Sequence, residues 1–311
     1  MPCKHRIEQQ DGIEVHVLRS AEVEVRIIPE LGAKISSLKD RYSGRQWLWS
    51  PPGARLFRNT LADAFASSTL IGADECFPSI AGCTWRDRKL PDHGEAWSLP
   101  WTVTTTNDSV TTRLKCVAAP FVLERTARLA AHILRLDYTL TNVGTQPEEF
   151  LWALHPLMAI QPGDRIELPT SQITVEVALN CVLGERGAKL HWPRPQPGMD
   201  LGTMDFGERV PAALKAFARD LKECRADLVN ERTRARLTMR FAGDGVDTLG
   251  IWINRGGWHG YDHVALEPTN AAADALDVAA SVSGHCGKIS PGQKLEWHVQ
   301  LEMQSGVFPE T

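Results

Sequence analysis

The sequence predicts an all-β fold, a large antiparallel β-sandwich, and three observations carry that expectation. Two early segments, IEVHVL at 13–18 and VEVRII at 23–28, alternate apolar and polar residues with period two, the signature of strands with one buried and one wetter face. Turn-forming residues then recur at strand spacing, as in Tyr42-Ser43-Gly44, Asn107-Asp108-Ser109, Ala119-Pro120 and Pro291-Gly292. No repeat, heptad or low-complexity tract interrupts the pattern. Many short strands with such punctuation describe a sandwich or barrel. The 311 residues suffice for one large β-domain or two ordinary ones. Segments on both sides of the Gly- and Pro-rich stretch 184–210 share the β character, so residues 1–311 are read as a single domain.

In chain order, Arg19-Ser20-Ala21 joins the first two strands as a hairpin, and Pro29 and Gly32 turn the chain into a strand at 34–38. Pro51, Pro52 and Gly53 open a stretch, 50–71, with neither helical nor strand period, which reads as an irregular loop of the kind that often carries function. Consecutive strands are expected at 101–106, 111–118, 121–130 and 133–142, and an apolar one at 149–160. The stretch 184–210, with WPRPQPGMD at its centre, reads as a surface excursion. Residues 211–221 stay open between a strand and a short helix, because Leu214, Phe217 and Leu221 fall at helical spacing. Strands flanking a turn at 230–233, and others at 249–254, 264–267 and 295–303, complete the set.

Composition narrows the function. A net charge of −4 and a pI near 6.2, without a basic run carrying interleaved aromatics, argue against nucleic-acid binding. Seven scattered cysteines, an odd number without a CxxC pair, argue against a disulfide framework and structural zinc. No apolar run approaches membrane-spanning length and the N-terminus lacks an apolar signal core, so the expectation is a cytoplasmic protein that does not enter membranes.

Three stretches carry chemistry. LPDHGEAWSLPW at 90–101 packs Asp92, His93, Glu95, Trp97 and Trp101 into a Pro- and Gly-punctuated loop. Its indoles either stack on a sugar or anchor the loop to the core. FLWALHPL at 150–157 and VALEPT at 264–269 are apolar strands in which a titratable residue, His155 or Glu267, is followed directly by proline. Proline is expected to stop each strand there, so that both side chains project into a cleft at a sheet edge. One carboxylate, one or two imidazoles and aromatic walls amount to a general acid–base site that needs no metal. Trp252, with Trp258 and Asn254, is a candidate wall near Glu267, the alternative being a core indole. His259 and His263 stand four apart in a glycine-rich, non-helical stretch, which disfavours metal ligation. Arg232, Arg234, Arg236 and Arg240 read as a solvated face or, alternatively, as a receiver of a sugar phosphate.

These stretches together resemble the galactose mutarotase (aldose 1-epimerase) family. The resemblance begins at IIPELGAKISSLKD and continues through DHGEAW, LWALHPL, VALEPT and ISPGQKLEWHVQL, in the family's order and over most of the length. It implies a large antiparallel β-sandwich, no cofactor and a monosaccharide substrate. It also implies Glu267 as the base that takes the anomeric proton, His155 as the acid that protonates the ring oxygen, and His93 as a hydrogen-bond partner near that oxygen. An ionised Glu267 beside His155 is expected to keep the imidazole protonated at neutral pH. The chain departs from the family where many members carry an Asn-Arg pair. IGADECFPSI stands there instead, making Asp74 and Glu75 candidate acceptors for sugar hydroxyls or, alternatively, a rim pair. That departure leaves open a hexose 6-phosphate substrate or a carbohydrate-binding protein without catalysis. A glycoside hydrolase or lyase would need Glu267 to face a second carboxylate such as Asp74, Glu75 or Glu95. Oligomeric state is not legible.

Overall fold

The computed structural model describes residues 3–61, 63–180, 183–204 and 211–306. The last part of the expected excursion, 205–210, lies outside the described residues. Two antiparallel sheets enclose the main core. Among the described residues the larger has eleven strands. It runs in space through Lys4–Gln10, Ile13–Arg19, Val23–Ile28, Lys34–Asp40, Ala73–Cys76, Ala153–Met158, Asp262–Thr269, Thr248–Arg255, Ala212–Ala218, Gln172–Leu179 and Lys189–His191. The smaller, of nine, runs through Thr203–Met204, Asp164–Glu167, Arg225–Asn230, Ala235–Gly243, Lys294–Ser305, Ile133–Asn142, Phe121–Ala130, Ser109–Lys115 and Thr102–Thr105.

The alternation seen in the sequence is the geometry of that core. In Ile133–Asn142, every second side chain (Leu134, Leu136, Tyr138, Leu140) is buried between the sheets. Ala212–Ala218 is a strand, which settles the stretch the sequence left open. It lies inside the larger sheet between Thr248–Arg255 and Gln172–Leu179, buried along almost its whole length. A strand covered on both faces shows no clean alternation, and its apolar residues fall at helical spacing by coincidence. The edge strand Lys4–Gln10, charged and largely exposed, has no apolar pattern to announce it.

The two expected strand ends are corrected. Pro156 and Pro268 sit within the strands Ala153–Met158 and Asp262–Thr269. Pro268 stays paired with Leu249, and beyond Pro156 the Leu157 amide donates to Gly72 O at 2.9 Å. His155 and Glu267 therefore rise from the middle of the sheet, where each is flanked by strands on both sides.

Glu75 is a second correction. It points between the sheets and is fully buried. Its Oε1 accepts from Arg125 at 2.7 Å and the Tyr138 hydroxyl at 2.9 Å, and its Oε2 from Trp152 Nε1 at 2.9 Å. A carboxylate so fully engaged is a core ion pair with no lone pair turned to a sugar.

Candidate active site

The site lies on the face of the larger sheet turned away from the sandwich core. Antiparallel pairing places directly opposed residues on one face. His155 opposes Asp74, Glu267 opposes Gly250, Trp252 opposes both Lys215 and Ala265, and Asn254 opposes His263. With the two-residue period of a strand, this brings Asp74, His155, Glu267, Lys215, Trp252 and His263 to the same side.

His155 Nε2 is 3.5 Å from Glu267 Oε1. Glu267 Oε2 is ion-paired with Lys215, whose Nζ also lies 3.6 Å from Asp274 Oδ1. Above them is a cavity of ≈ 330 Å³ whose lining includes Phe65, His93, His155, Lys215, Trp252 and Trp258. That volume falls in the range of small-molecule sites. Glu267 itself is wholly buried beneath His155 and Lys215, and its Oε1 carries no hydrogen bond.

The 90–101 loop divides its work. Glu95 roots it, accepting from the Val117 amide at 2.7 Å and the Ala118 amide at 3.0 Å. Trp97 and Trp101 are buried anchors, donating to Asp92 O at 3.1 Å and Ala96 O at 3.0 Å. Of the loop's two expected indole roles, the structure selects anchoring. Asp92 and His93 are left to face the cavity, with His93 Nδ1 3.1 Å from Asp92 Oδ1. Gly94 has to be glycine, because at its φ of 71° a Cβ would stand 2.1 Å from Phe77 O. Phe65, from the irregular 50–71 loop, stacks on His93 (centroids 3.7 Å apart, planes within 8°) and stands perpendicular to the His155 ring, with centroids 5.9 Å apart.

Trp252 lines the cavity and donates from Nε1 to His263 Nε2 at 3.2 Å. His263 is thereby held neutral, and burial pushes its pKa down to about 4. Asn254 is not a wall. It clamps the following loop, accepting from the Trp258 amide and donating to the Trp258 carbonyl, both at 2.9 Å. Asp74 stands on the site face opposite His155 but is fully buried and ion-paired with Lys34, so it supports the floor without lining the cavity.

The electrostatics correct the expected state of His155. Burial, reinforced by His93 and Lys215, holds its pKa well below the ordinary imidazole value, so the resting ring is neutral at pH 7. Burial raises Glu267 above the usual carboxylate range, while Lys215 opposes that rise. For Lys215 the sign is reversed. Desolvation works against its charge, but Glu267 and Asp274 outweigh it and keep the ammonium protonated beyond the ordinary lysine range.

Lys215, Phe65 and Asp274 are site residues that sequence reasoning missed. Lys215 left a signal, a single cation inside the apolar run AALKAFA, where burial demands a partner. Phe65 left none, because an aperiodic loop does not show which of its side chains turns inward.

No protein-family model matches the sequence, and a search of curated proteins finds no match. Solved structures do match in fold. The Slr1438 protein of Synechocystis sp. PCC 6803 superimposes with a TM-score of 0.70 at 18% identity, over 98% of this chain and 97% of that one. A galactose mutarotase-like protein of Clostridium acetobutylicum gives 0.68 at 13% identity, over 98% and 99% of the two chains. A galactose mutarotase related enzyme of Lactobacillus acidophilus gives 0.68 at 17%, over 94% and 97%. The architecture is therefore that of the galactose mutarotase-like β-sandwich, shared at low sequence identity.

Proposed function

We propose that this protein interconverts the anomers of an aldose by acid–base ring opening and closure, without a cofactor. The observation that carries this reading is the His155–Glu267 pair under a cavity of monosaccharide scale, with His93 held opposite by Phe65. Glu267 accepts the proton of the anomeric hydroxyl through Oε1, the oxygen free of hydrogen bonds. The bond from the anomeric carbon to the ring oxygen breaks, the former hydroxyl oxygen becomes the carbonyl, and the ring oxygen takes a proton from His155. Rotation about the next carbon–carbon bond presents the other carbonyl face, and closure returns both protons. His93 donates to the ring oxygen as charge develops there. The working state holds one proton on the pair, on His155 before ring opening and on Glu267 after it, so nothing is consumed.

Anomer exchange measured by NMR or polarimetry on a panel of aldoses and aldose 6-phosphates tests this reading. His155→Ala and Glu267→Ala are each expected to lower kcat by ~10²–10⁴-fold. Near-wild-type exchange in both variants would refute it. The complete burial of Glu267 favours a second reading, a sugar-binding protein without catalysis. Saturable sugar binding with no accelerated exchange would select that one.

A further inference from the structure

The reaction proposed above needs a carboxylate that stays ionised although it is fully buried. Glu267 is faced by His155 on Ala153–Met158, by Lys215 on Ala212–Ala218 and by Gly250 on Thr248–Arg255. Asp274 lies beyond Lys215, and the charges of His93 and Asp274 and the Cys76 thiol also act in this neighbourhood. Among these groups Lys215 is the one in direct ionic contact with Glu267 Oε2. Lys215 does not oppose Glu267 in the sheet register. Its long side chain crosses diagonally over the intervening strand to reach the carboxylate. Gly250 makes that crossing possible. A Cβ there would stand 3.2 Å from Glu267 Cβ, 3.3 Å from its Oε2 and 3.4 Å from Lys215 Nζ. Gly250 has no positive φ to explain it, so this space is what the absent side chain provides.

We propose that Lys215 is a positioning residue of the proton-transfer site. Clamped between Glu267 and Asp274 across the gap left by Gly250, it fixes the Glu267 carboxylate and turns Oε1 toward His155. The inference rests on the mutarotation reading for its catalytic consequence, but the clamp itself can be tested without turnover. Lys215 spends its charge within the protein, which separates it from the cations that recognise substrate anions.

The test follows the Glu267 carboxyl directly, by carbon-13 NMR titration of the glutamate-labelled full chain, with Glu267→Gln to assign the signal. Lys215→Met is expected to move the Glu267 titration upward by at least about one pH unit. It is also expected to lower kcat by about tenfold or more with a smaller change in KM. Removing one partner of a buried pair destabilises, so Gly250→Ala supplies a second variant that keeps both charges and crowds their contact with a Cβ 3.3 Å from Glu267 Oε2 and 3.4 Å from Lys215 Nζ. It is expected to raise the Glu267 titration and lower kcat in the same sense, to a smaller degree. An unchanged Glu267 titration in a folded Lys215→Met or Gly250→Ala protein would overturn the proposal. A wild-type protein that accelerates no anomer exchange would instead overturn the function, leaving the titration to decide on the clamp.

Discussion

His155 is neutral in the resting site, and that has a kinetic consequence. A ring that must deliver a proton works only in its protonated form, and burial holds its pKa well below the ordinary imidazole value. Glu267 must be ionised, and burial raises its pKa. The two shifts converge, so the state with one proton shared by the pair spans a narrow interval of pH. The expected kcat/KM profile is a bell with its basic limb below ~6.5, the free imidazole value. The sign follows from the depressed pKa, since activity is lost as pH rises through it. A basic limb at or above neutrality would mean that another group supplies the proton. Trp252 shows how chemistry at this scale depends on a neighbour, because its indole N–H is already spent on His263. It therefore lines the cavity without a free donor to offer there.

At the scale of elements, the loop and the sheet contribute differently. The sheet supplies Asp74, His155 and Glu267 from three neighbouring strands and Lys215 from the second strand beyond Glu267, so their separations are set by strand spacing and register. The 50–71 loop supplies Phe65, whose stacking fixes the plane of the His93 ring. A stacked aromatic pair is worth ~0.5–1.5 kcal/mol, so Phe65→Ala is expected to raise KM by up to about tenfold and to lower kcat less. Steady-state kinetics of that variant checks this, and an unchanged KM would show that His93 holds its place without the stack. The strands carrying the titratable residues were legible as apolar runs ending in VALEPT and WALHPL. Their continuation past proline was not, because a locally broken ladder can be bridged by neighbouring strands that the sequence does not place.

For the whole molecule, the ion pair of Arg125 and Glu75 links the two sheets through the core. Arg125 on the smaller sheet also donates to the carbonyl of Ala33, in the turn just before the strand Lys34–Asp40 of the larger one. Removing Arg125 leaves Glu75 buried and uncompensated, which costs about 3–5 kcal/mol. Arg125→Ala is expected to lower the midpoint of thermal or urea unfolding by a corresponding amount, while the folded fraction keeps the wild-type KM. A loss of sugar binding out of proportion to unfolding would instead tie Glu75 to the cavity. The solved structures that share this fold do so at 18% identity or less among those compared. The sandwich is preserved by burial pattern, which many side chains of similar volume can satisfy.

The sequence by itself determined the β architecture, the strands that carry His155 and Glu267, and the loop that carries His93. These follow from period-two burial and turn chemistry, which act between residues close in the chain. Tertiary structure alone decided that Glu75 faces the core while its neighbour Asp74 faces the site, since adjacent residues on a strand take opposite sides and only the finished sandwich says which side is which. It also decided that Lys215, 52 positions from Glu267, is its partner. Register between distant strands is set by packing of the whole sheet, and no local pattern encodes it.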